Sequence, residues 1–593
     1  MNDEQRVYGA HGSSPVASSA ERGKGTKAQD QGESILVRAC QGEGIFVRAC
    51  YQGSVAALVP EDYVPEDFTD EERARLEPYV TNTDRPVFVL RNLPEVVKGA
   101  LFARYSRSAK SLRRLLLDEF LTDDQGAAKA ALGSSSAAAH TRGEQLYERV
   151  FFEYGDDSVA QLGGVHVACE GASNILTKVL EWGRLAAYLE QSTRYVPYTA
   201  QPGGRWKYHL PPEVAAGPLE ADYRKAMDLA FETYARWIKP MEAHFTARFP
   251  PEGPPDGAYR ASIRAKALDA LRGLLPAATQ SNVGVYATGQ AYEAMLLRMR
   301  AAPQAEVQAY ATMLLEELRK VIPAFMRRVD LPDRGARWTA YLAQCQADTA
   351  ARVAPWVRQA PDEVPEVSLT DFDPHGELKV VAAAMYAVSG LPDGQLLDVA
   401  RAMSVDDRTA VLKAYVGERT NRRHKPGRAF ERTHYRFDIL GDYGAFRDLQ
   451  RHRMLTIEWQ PLSPSHGYVM GAVIDEVQAA DDWRRVMDAS AQLHHQLVQA
   501  DLPHVAPYAV AMAYRVRYYL DMNAREAMHL IELRSAPQGH AAYRRVAQSM
   551  HGLIRHTAGH SAIADAMCFV NHEAVDLERL AAERAAQTRR AGG

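Results

Sequence analysis

The chain has 593 residues, with 70 Lys and Arg against 74 Asp and Glu, a formal charge of −4. At roughly 100 to 200 residues per domain this is material for about three to five domains, which excludes a single small module, and the near-neutral balance excludes a whole-chain basic field that would hold nucleic acid by counterion release. Five cysteines without a C-x-x-C pair exclude a disulfide framework, and no apolar run reaches the ~20 residues of a membrane span, so a reduced, cytoplasmic setting is expected.

Met1 to Ser34 is rich in Gly, Ser, Lys and Glu without an apolar h-region, and reads as a disordered tail. Ile35-Leu36-Val37 and Ile45-Phe46-Val47, each followed by Arg-Ala-Cys, make a hairpin candidate. Thr69 with Glu72 is a capping box, and Pro94 to Phe120 carries a helical stripe through Val97, Leu101, Tyr105 and Leu112. Gly133 to Ala139 reads as a surface loop. Val165 to Cys169 is a strand candidate and Ala172 to Tyr188 a helix. Leu219 to Phe249 reads as a long helix kinked at Pro240 and ended by Pro250-Pro251, and Ala302 to Phe325 as another between Pro303 and Pro323. The Pro-, Asp- and Glu-dense stretch Ala360 to Pro374 is the best domain boundary. Beyond it, Gly376 to Val388 is a strand-to-helix candidate and Thr433 to Leu440 alternates as a strand. Helices are expected over Asp442 to Met454, Asp481 to Val498, Asn523 to Leu533 and Ala541 to His556.

The order of elements in the second half repeats that of the first. Aligning Ala287 to Arg298 with Asn523 to Arg534 sets Leu297-Arg298 level with Leu533-Arg534.

Two segments carry candidate chemistry. Gln450-Arg451-His452-Arg453 ends the short helix of the second half. On a helix its three basic residues fan over roughly 200°, so they share a target only if the helix stops and the loop turns them inward. Guanidinium forks suit phosphate, and His452 suits a ring system; a solvated charged helix end is the plain alternative. Glu190-Gln191-Ser192-Thr193-Arg194-Tyr195 holds the matching place in the first half. In an extended loop Ser192 and Arg194 point the same way and suit one phosphate, while Glu190 suits a sugar hydroxyl or base N–H; an ordinary polar turn is the alternative. G-x-S-x-G, H-E-x-x-H and Walker A motifs are absent, and Gly23-x-Gly25-x-x-Ala28 follows no strand. His494-His495 and His572-Glu573 read as helix-surface residues, so no metal site is expected.

Together these residues resemble the flavin-dependent thymidylate synthases, or thymidylate-synthase-complementing proteins, whose signature is R-H-R, seven residues, then S-x-R-Y. Trp182-Gly183-Arg184, seven residues, then Ser192-Thr193-Arg194-Tyr195 keeps the second end only. Arg451-His452-Arg453 keeps the first end, but Pro461-Leu462-Ser463-Pro464 follows. The family's H-x-S-x-x-E-H element is reduced to Ser158 in the first half and to Glu431, within Pro426 to Arg432, in the second. Its N-A-R-x-x-x-N-x-x-x-L-R helix is matched by Asn523-Ala524-Arg525, His529 and Arg534, with Arg298 kept in the first half.

The resemblance implies an α/β (α+β) fold of two tandem repeats, helix-rich with a mixed sheet in each. A tail (1–34) and an extension (35–85) would precede the first repeat (86–330), and a linker (331–375) the second (376–593). It implies reductive methylation of dUMP to dTMP with FAD as cofactor and methylenetetrahydrofolate and NADPH as co-substrates, at composite sites in a homodimer that mimics the family's tetramer. Arg534, with Arg298 as counterpart, would be catalytic. Arg451, His452, Arg453, Asn523, His529 and Ser158 would hold FAD, and Glu190, Gln191, Ser192, Arg194 and Tyr195 would hold the nucleotide. The alternatives are an inactive duplicate serving as a flavin- or nucleotide-binding scaffold, and a flavoenzyme acting on another uracil nucleotide.

Overall fold

The computed structural model describes residues 59–93 except 61, residues 101, 105 and 108–121, residues 164–573 except 252 and 360, and residues 577 and 579–591. The tail, the hairpin candidate, the 133–139 loop and Ser158 lie outside the described residues.

The first half begins with α1 (Asp70–Leu76), where both bonds of the Thr69–Glu72 capping box form. Leu101, Tyr105 and Leu112 of the predicted stripe are buried together. Strands β1 (Val87–Leu90), β2 (Gly164–Ser173), β3 (Ala186–Glu190) and β4 (Gln280–Thr288) make an antiparallel sheet in the order β1-β2-β4-β3. All four residues of β1 are buried because the sheet is covered on both faces: Val87 and Val89 enter one core, Phe88 and Leu90 the other. The second half contains β5 (Val367–Phe372), β6 (His434–Asp442), β7 (Thr456–Trp459) and β8 (Arg515–Asn523) in the same order, β5-β6-β8-β7, again antiparallel. The two sheets are therefore antiparallel rather than mixed. The fold is α+β, with two like sheets in tandem.

The connecting helices also correspond. Helix α2 (Asn174–Leu180) leads into β3, followed by α3 (Glu220–Arg248) and α4 (Gly257–Leu271); after β4 come α5 (Gly289–Ala301) and α6 (Ala305–Arg319). Helix α7 (Gly335–Val353) precedes β5 and α8 (Gly376–Tyr386) follows it. In the second half α9 (Tyr443–Leu449) leads into β7, then come α10 (Ala480–Gln499), β8, α11 (Ala524–Arg534) and α12 (Ala541–His556).

Two helix expectations are corrected. The helix expected over Ala172 to Tyr188 is only α2; Gly183 breaks it, and Ala186 to Glu190 instead completes the sheet against β4. Likewise α9 stops at Leu449, short of Met454. The 331–375 segment holds α7 and the edge strand β5, whose polar letters fit its one-sided pairing with β6. Among the described residues no helix is long and apolar enough to cross a membrane.

Main-chain bonds join the halves about a pseudo-twofold axis. Counted from the helix N-caps Thr288 and Asn523, Ala277 is level with Met512 and Leu275 with Val510. Ala277 N donates to Val510 O (2.8 Å) and Met512 N donates to Leu275 O (2.9 Å), so each bond mirrors the other. Ala278 N to Tyr508 O and Ala513 N to Gly273 O (both 3.0 Å) form a second mirrored pair, and Pro276 bridges its own counterpart Ala511. This is the reciprocity of an isologous dimer interface, built within one chain. The same caps set Arg298 level with Leu533 and Arg534 level with Met299, one residue from the register the letters suggest.

Buried Glu306 fastens this interface. It accepts from Ser173 N (2.9 Å) and Ser173 Oγ (2.6 Å) of its own half and from Tyr508 OH (2.8 Å) of the other. Glu306→Ala would strand these buried donors, and we expect a loss of at least about 3 kcal/mol in urea unfolding of the full chain; a loss below about 1 kcal/mol would show that the contact does not brace the halves.

Candidate functional site

The site grows from the loop after α9. Asp442 caps α9 through Ala445 N (2.9 Å), as Ser173 caps α2 through Leu176 N (3.0 Å). Counting from these caps pairs Val179 with Asp448, Trp182 with Arg451, Gly183 with His452 and Arg184 with Arg453. Because α9 ends at Leu449, the Arg-His-Arg run is loop, and its members turn to different partners. Arg451 pairs with Asp448, His452 is buried, and Arg453 Nη1 donates across the pseudo-axis to Ala186 O (2.5 Å).

Asp448 is the centre of charge. Besides Arg451, its carboxylate lies 3.7 Å from Arg272 Nη1 and 3.8 Å from Arg534 Nη1. Burial would raise its pKa, but Arg451, Arg534, Arg272 and Arg194 hold it far below the usual carboxylate range. Arg194 forks onto Asp269 (Nε to both oxygens, 2.7 Å) and donates from Nη1 to Tyr543 OH (3.3 Å); the Arg534 guanidinium lies 5.4 Å from the centre of the same Tyr543 ring. Arg194, from the first half's S-x-R-Y end, and Arg451 and Arg534, from the second, thus meet. Four guanidiniums face two carboxylates, Asp269 and Asp448, leaving two positive charges in excess. His540 beside them stays neutral at ordinary pH: burial and Arg272 push it down to about 3. Arg272 Nη2 and Arg451 Nε are buried without an acceptor among the described residues, so the cluster has unspent donors.

Beside this cluster Lys178 and Arg447, counterparts under the pseudo-axis, grip Glu190. Burial opposes ionisation of Glu190, but Arg447, Lys178 and Arg451 together carry it below its ordinary value. Gln191 is buried and donates to Ser108 O (2.7 Å), while Ser192 Oγ accepts from Arg194 N (3.3 Å) and so shapes its turn. Tyr195 points outward, under the Arg579 guanidinium at 4.4 Å.

Arg298 instead lies 4.6 Å from the Trp182 ring, in the first half's loop, where a Cβ on Gly183 would sit 3.6 Å from Arg298 Nη2 and 2.7 Å from Tyr188 Oη. The pseudo-axis therefore relates a charged loop (Asp448, Arg451, His452) to a filled one (Val179, Trp182, Gly183). Asp269, Arg272 and Tyr543 were not legible in the letters, since they come from distant helices. Asp448 had a local signal, three residues before Arg451 on one helix face.

The sequence profile of the thymidylate synthase complementing proteins matches residues 105–324 and 368–558. A UPF0159 protein of Chlamydia pneumoniae is 36% identical over 520 residues, covering 87% of this chain and 97% of the relative. One from Thermoplasma acidophilum is 30% identical over 513 residues, covering 82% and 97%. The chain belongs to the thymidylate synthase complementing protein family. Two matched regions, one on each sheet, agree with the tandem duplication, and membership indicates a thymidylate synthase-related function.

On the far side of His452, this family member places Glu526 and His529 of α11. Asn523 caps α11 by accepting from Glu526 N (2.9 Å). Arg534 Nε can only donate, so His452 Nε2 accepts (2.9 Å) and the His452 proton sits on Nδ1, directed at Glu526 Oε1 (3.2 Å). The His452 and His529 rings meet edge to face at 5.5 Å. These three side chains have metal-ligand spacing, with donor atoms within 4.8 Å of one another. Their surround is cationic and disfavours a further cation: the His452 proton on Nδ1 already faces Glu526, and burial with Lys425, Arg422, Arg534 and Arg525 pushes His529 down to about 4. His494 and His495 lie on α10, while His572 pairs with His551 (3.2 Å).

Burial pushes Glu526 up from 4.5 to about 7 against the pull of Lys425, Arg525 and Arg453. The folded chain then holds this proton more tightly than the unfolded one, so the contribution of Glu526 to stability falls as pH rises from 4.5 to about 7 and is flat above. We expect Glu526→Gln to remove that decline, so that the difference in unfolding midpoint between variant and wild type grows in the variant's favour across this window; a constant difference would contradict it.

Proposed function

We propose that the chain catalyses flavin-dependent reductive methylation of dUMP to dTMP, with methylenetetrahydrofolate as carbon donor and NADPH as reductant, at one composite site per chain. The meeting of Arg194 with Arg451 and Arg534 around Asp448 supports this, because each half of the signature is incomplete alone. The two excess positive charges suit a nucleoside monophosphate, whose phosphate carries roughly −2 near neutral pH. The unspent donor of Arg272 suits its oxygens. Arg194, Ser192 and Glu190 would hold dUMP, with Gln191 and Tyr195 shaping the loop. Arg534, fixed by His452, would stabilise negative charge on the uracil carbonyls. Arg451, His452, Arg453, Asn523 and His529 would hold FAD; the unpaired faces of two neutral imidazoles fit an aromatic ring system. When bound, reduced FAD supplies the hydride and the folate the one-carbon unit. Arg298, held over Trp182, belongs to the filled loop. A homodimer would bring two such pseudo-dimers together.

A nucleotide-binding scaffold is favoured by one observation, the self-pairing of Arg194 with Asp269, which a phosphate would have to displace. Tritium release from 5-tritiated dUMP by the FAD-loaded chain decides between them: release supports the enzyme, and tight dUMP binding without release supports the scaffold. For the enzyme, Arg534→Ala should lower kcat by about 10²- to 10³-fold. Arg194→Ala should leave flavin absorbance in place and weaken dUMP binding, whereas Arg453→Ala should lose the flavin. A wild-type chain that is colourless and does not bind added FAD would refute the flavin reading.

A further inference from the structure

The loop that follows the helix Val405–Val416 and leads toward β6 carries a dense run, Arg419-Thr420-Asn421-Arg422-Arg423-His424-Lys425, that no motif explains. It is clamped along one face of α11. At its start, buried Arg419 forks onto buried Glu532 (Nη1 to Oε1 2.6 Å, Nη2 to Oε2 2.7 Å). At its end, Arg525 Nε donates to Pro426 O (3.0 Å). Arg525, His529 and Glu532 are spaced i, i+4, i+7, so the residue between the two clamps on that face is His529. Within the loop, His424 is held by Thr420 and Asn421, which closes it into a compact turn.

Between the clamps, the side chains of Arg422, Arg423 and Lys425 have no hydrogen-bond or ion-pair partner among the described residues. Elsewhere in this arginine-rich chain surface guanidiniums commonly have carboxylates, as Arg428 has Glu431 and Arg432 has Asp393. Arg422 and Lys425 lie close enough to act on the His452–Glu526–His529 group: both depress His529, and Lys425 is felt by Glu526 and His452. Neither is among the groups that hold Asp448. Two groups of cations thus flank His452, one around Asp448 and one at the clamped loop.

Resting on the flavin reading above, we infer that this second group, Arg422 and Lys425 with Arg525 behind them, binds the diphosphate of the flavin dinucleotide. The Arg-His-Arg loop is then left to meet the ring system and the nucleotide. The clamping matters because a loop already fixed at both ends pays little ordering entropy when the ligand arrives, and because a diphosphate needs two or more fixed cations rather than one.

The test compares FAD with riboflavin, which has the ring system but no phosphate, by fluorescence titration of the full-length chain and of the Arg422→Ala, Lys425→Ala double variant. Wild type should bind FAD more tightly than riboflavin. The variant should bind FAD about 10- to 100-fold more weakly, the scale of one or two ionic hydrogen bonds, with riboflavin and dUMP affinities unchanged. An unaltered urea midpoint verifies that the variant, changed at two half-buried side chains, is folded. If the variant binds FAD as tightly as wild type, the loop assignment fails alone. If riboflavin binding falls in step with FAD, the loop acts on the ring pocket and the assignment also fails. A wild-type chain that binds neither flavin overturns the flavin reading and this inference with it.

Discussion

Everything at the site depends on the short stretch where the chain meets its own copy, Gly273 to Ala278 against Tyr508 to Ala513. Backbone N–H and C=O groups buried at an interface must be paired, and here each half supplies the partners the other lacks. The mirrored bonds fix the halves in one orientation. That orientation brings the β3 edge of the first half beside the α9 loop of the second, and places α3 and α4 in a continuous core with the second half's elements. Free subunits in a dimer would have to find this arrangement by association; fusion removes that cost.

Fusion also releases the two related sites from having to be alike. In a true dimer any change in the loop after the short helix appears at both positions. In the fused chain one loop keeps Asp448, Arg451 and His452 while the other has become Val179, Trp182 and Gly183, with Arg298 over the indole. On the proposed reading the charged position gained what the filled one gave up. A carboxylate among four guanidiniums is costly to bury unless every charge has a use. Asp448 prevents the guanidiniums from repelling one another apart, and two positive charges remain for a ligand.

Much of this was legible in the sequence because it depends on local rules. Caps and periodicity located α1, α3, α10, α11 and α12 to within a few residues, and the Arg-His-Arg and S-x-R-Y ends pointed to the residues that converge. What was not legible required the tertiary partner. Ala186 to Glu190 has no strand pattern strong enough to override a helix reading until β4 offers an edge. The polar edge strand β5 read as linker for the same reason. Arg272 and Asp269 carry no motif; they matter only because the pseudo-axis brings α4 beside α9. The one-residue slip between Arg298 and Arg534 shows that matching letters can mislead where strand ends and helix caps fix the true register.

The central claim is that two related halves form one working nucleotide site. Its most direct measure is the stoichiometry of dUMP binding to the full-length, FAD-loaded chain by calorimetric titration. One dUMP should bind per chain; two equivalent sites per chain, or none, would mean that the halves do not share a single site.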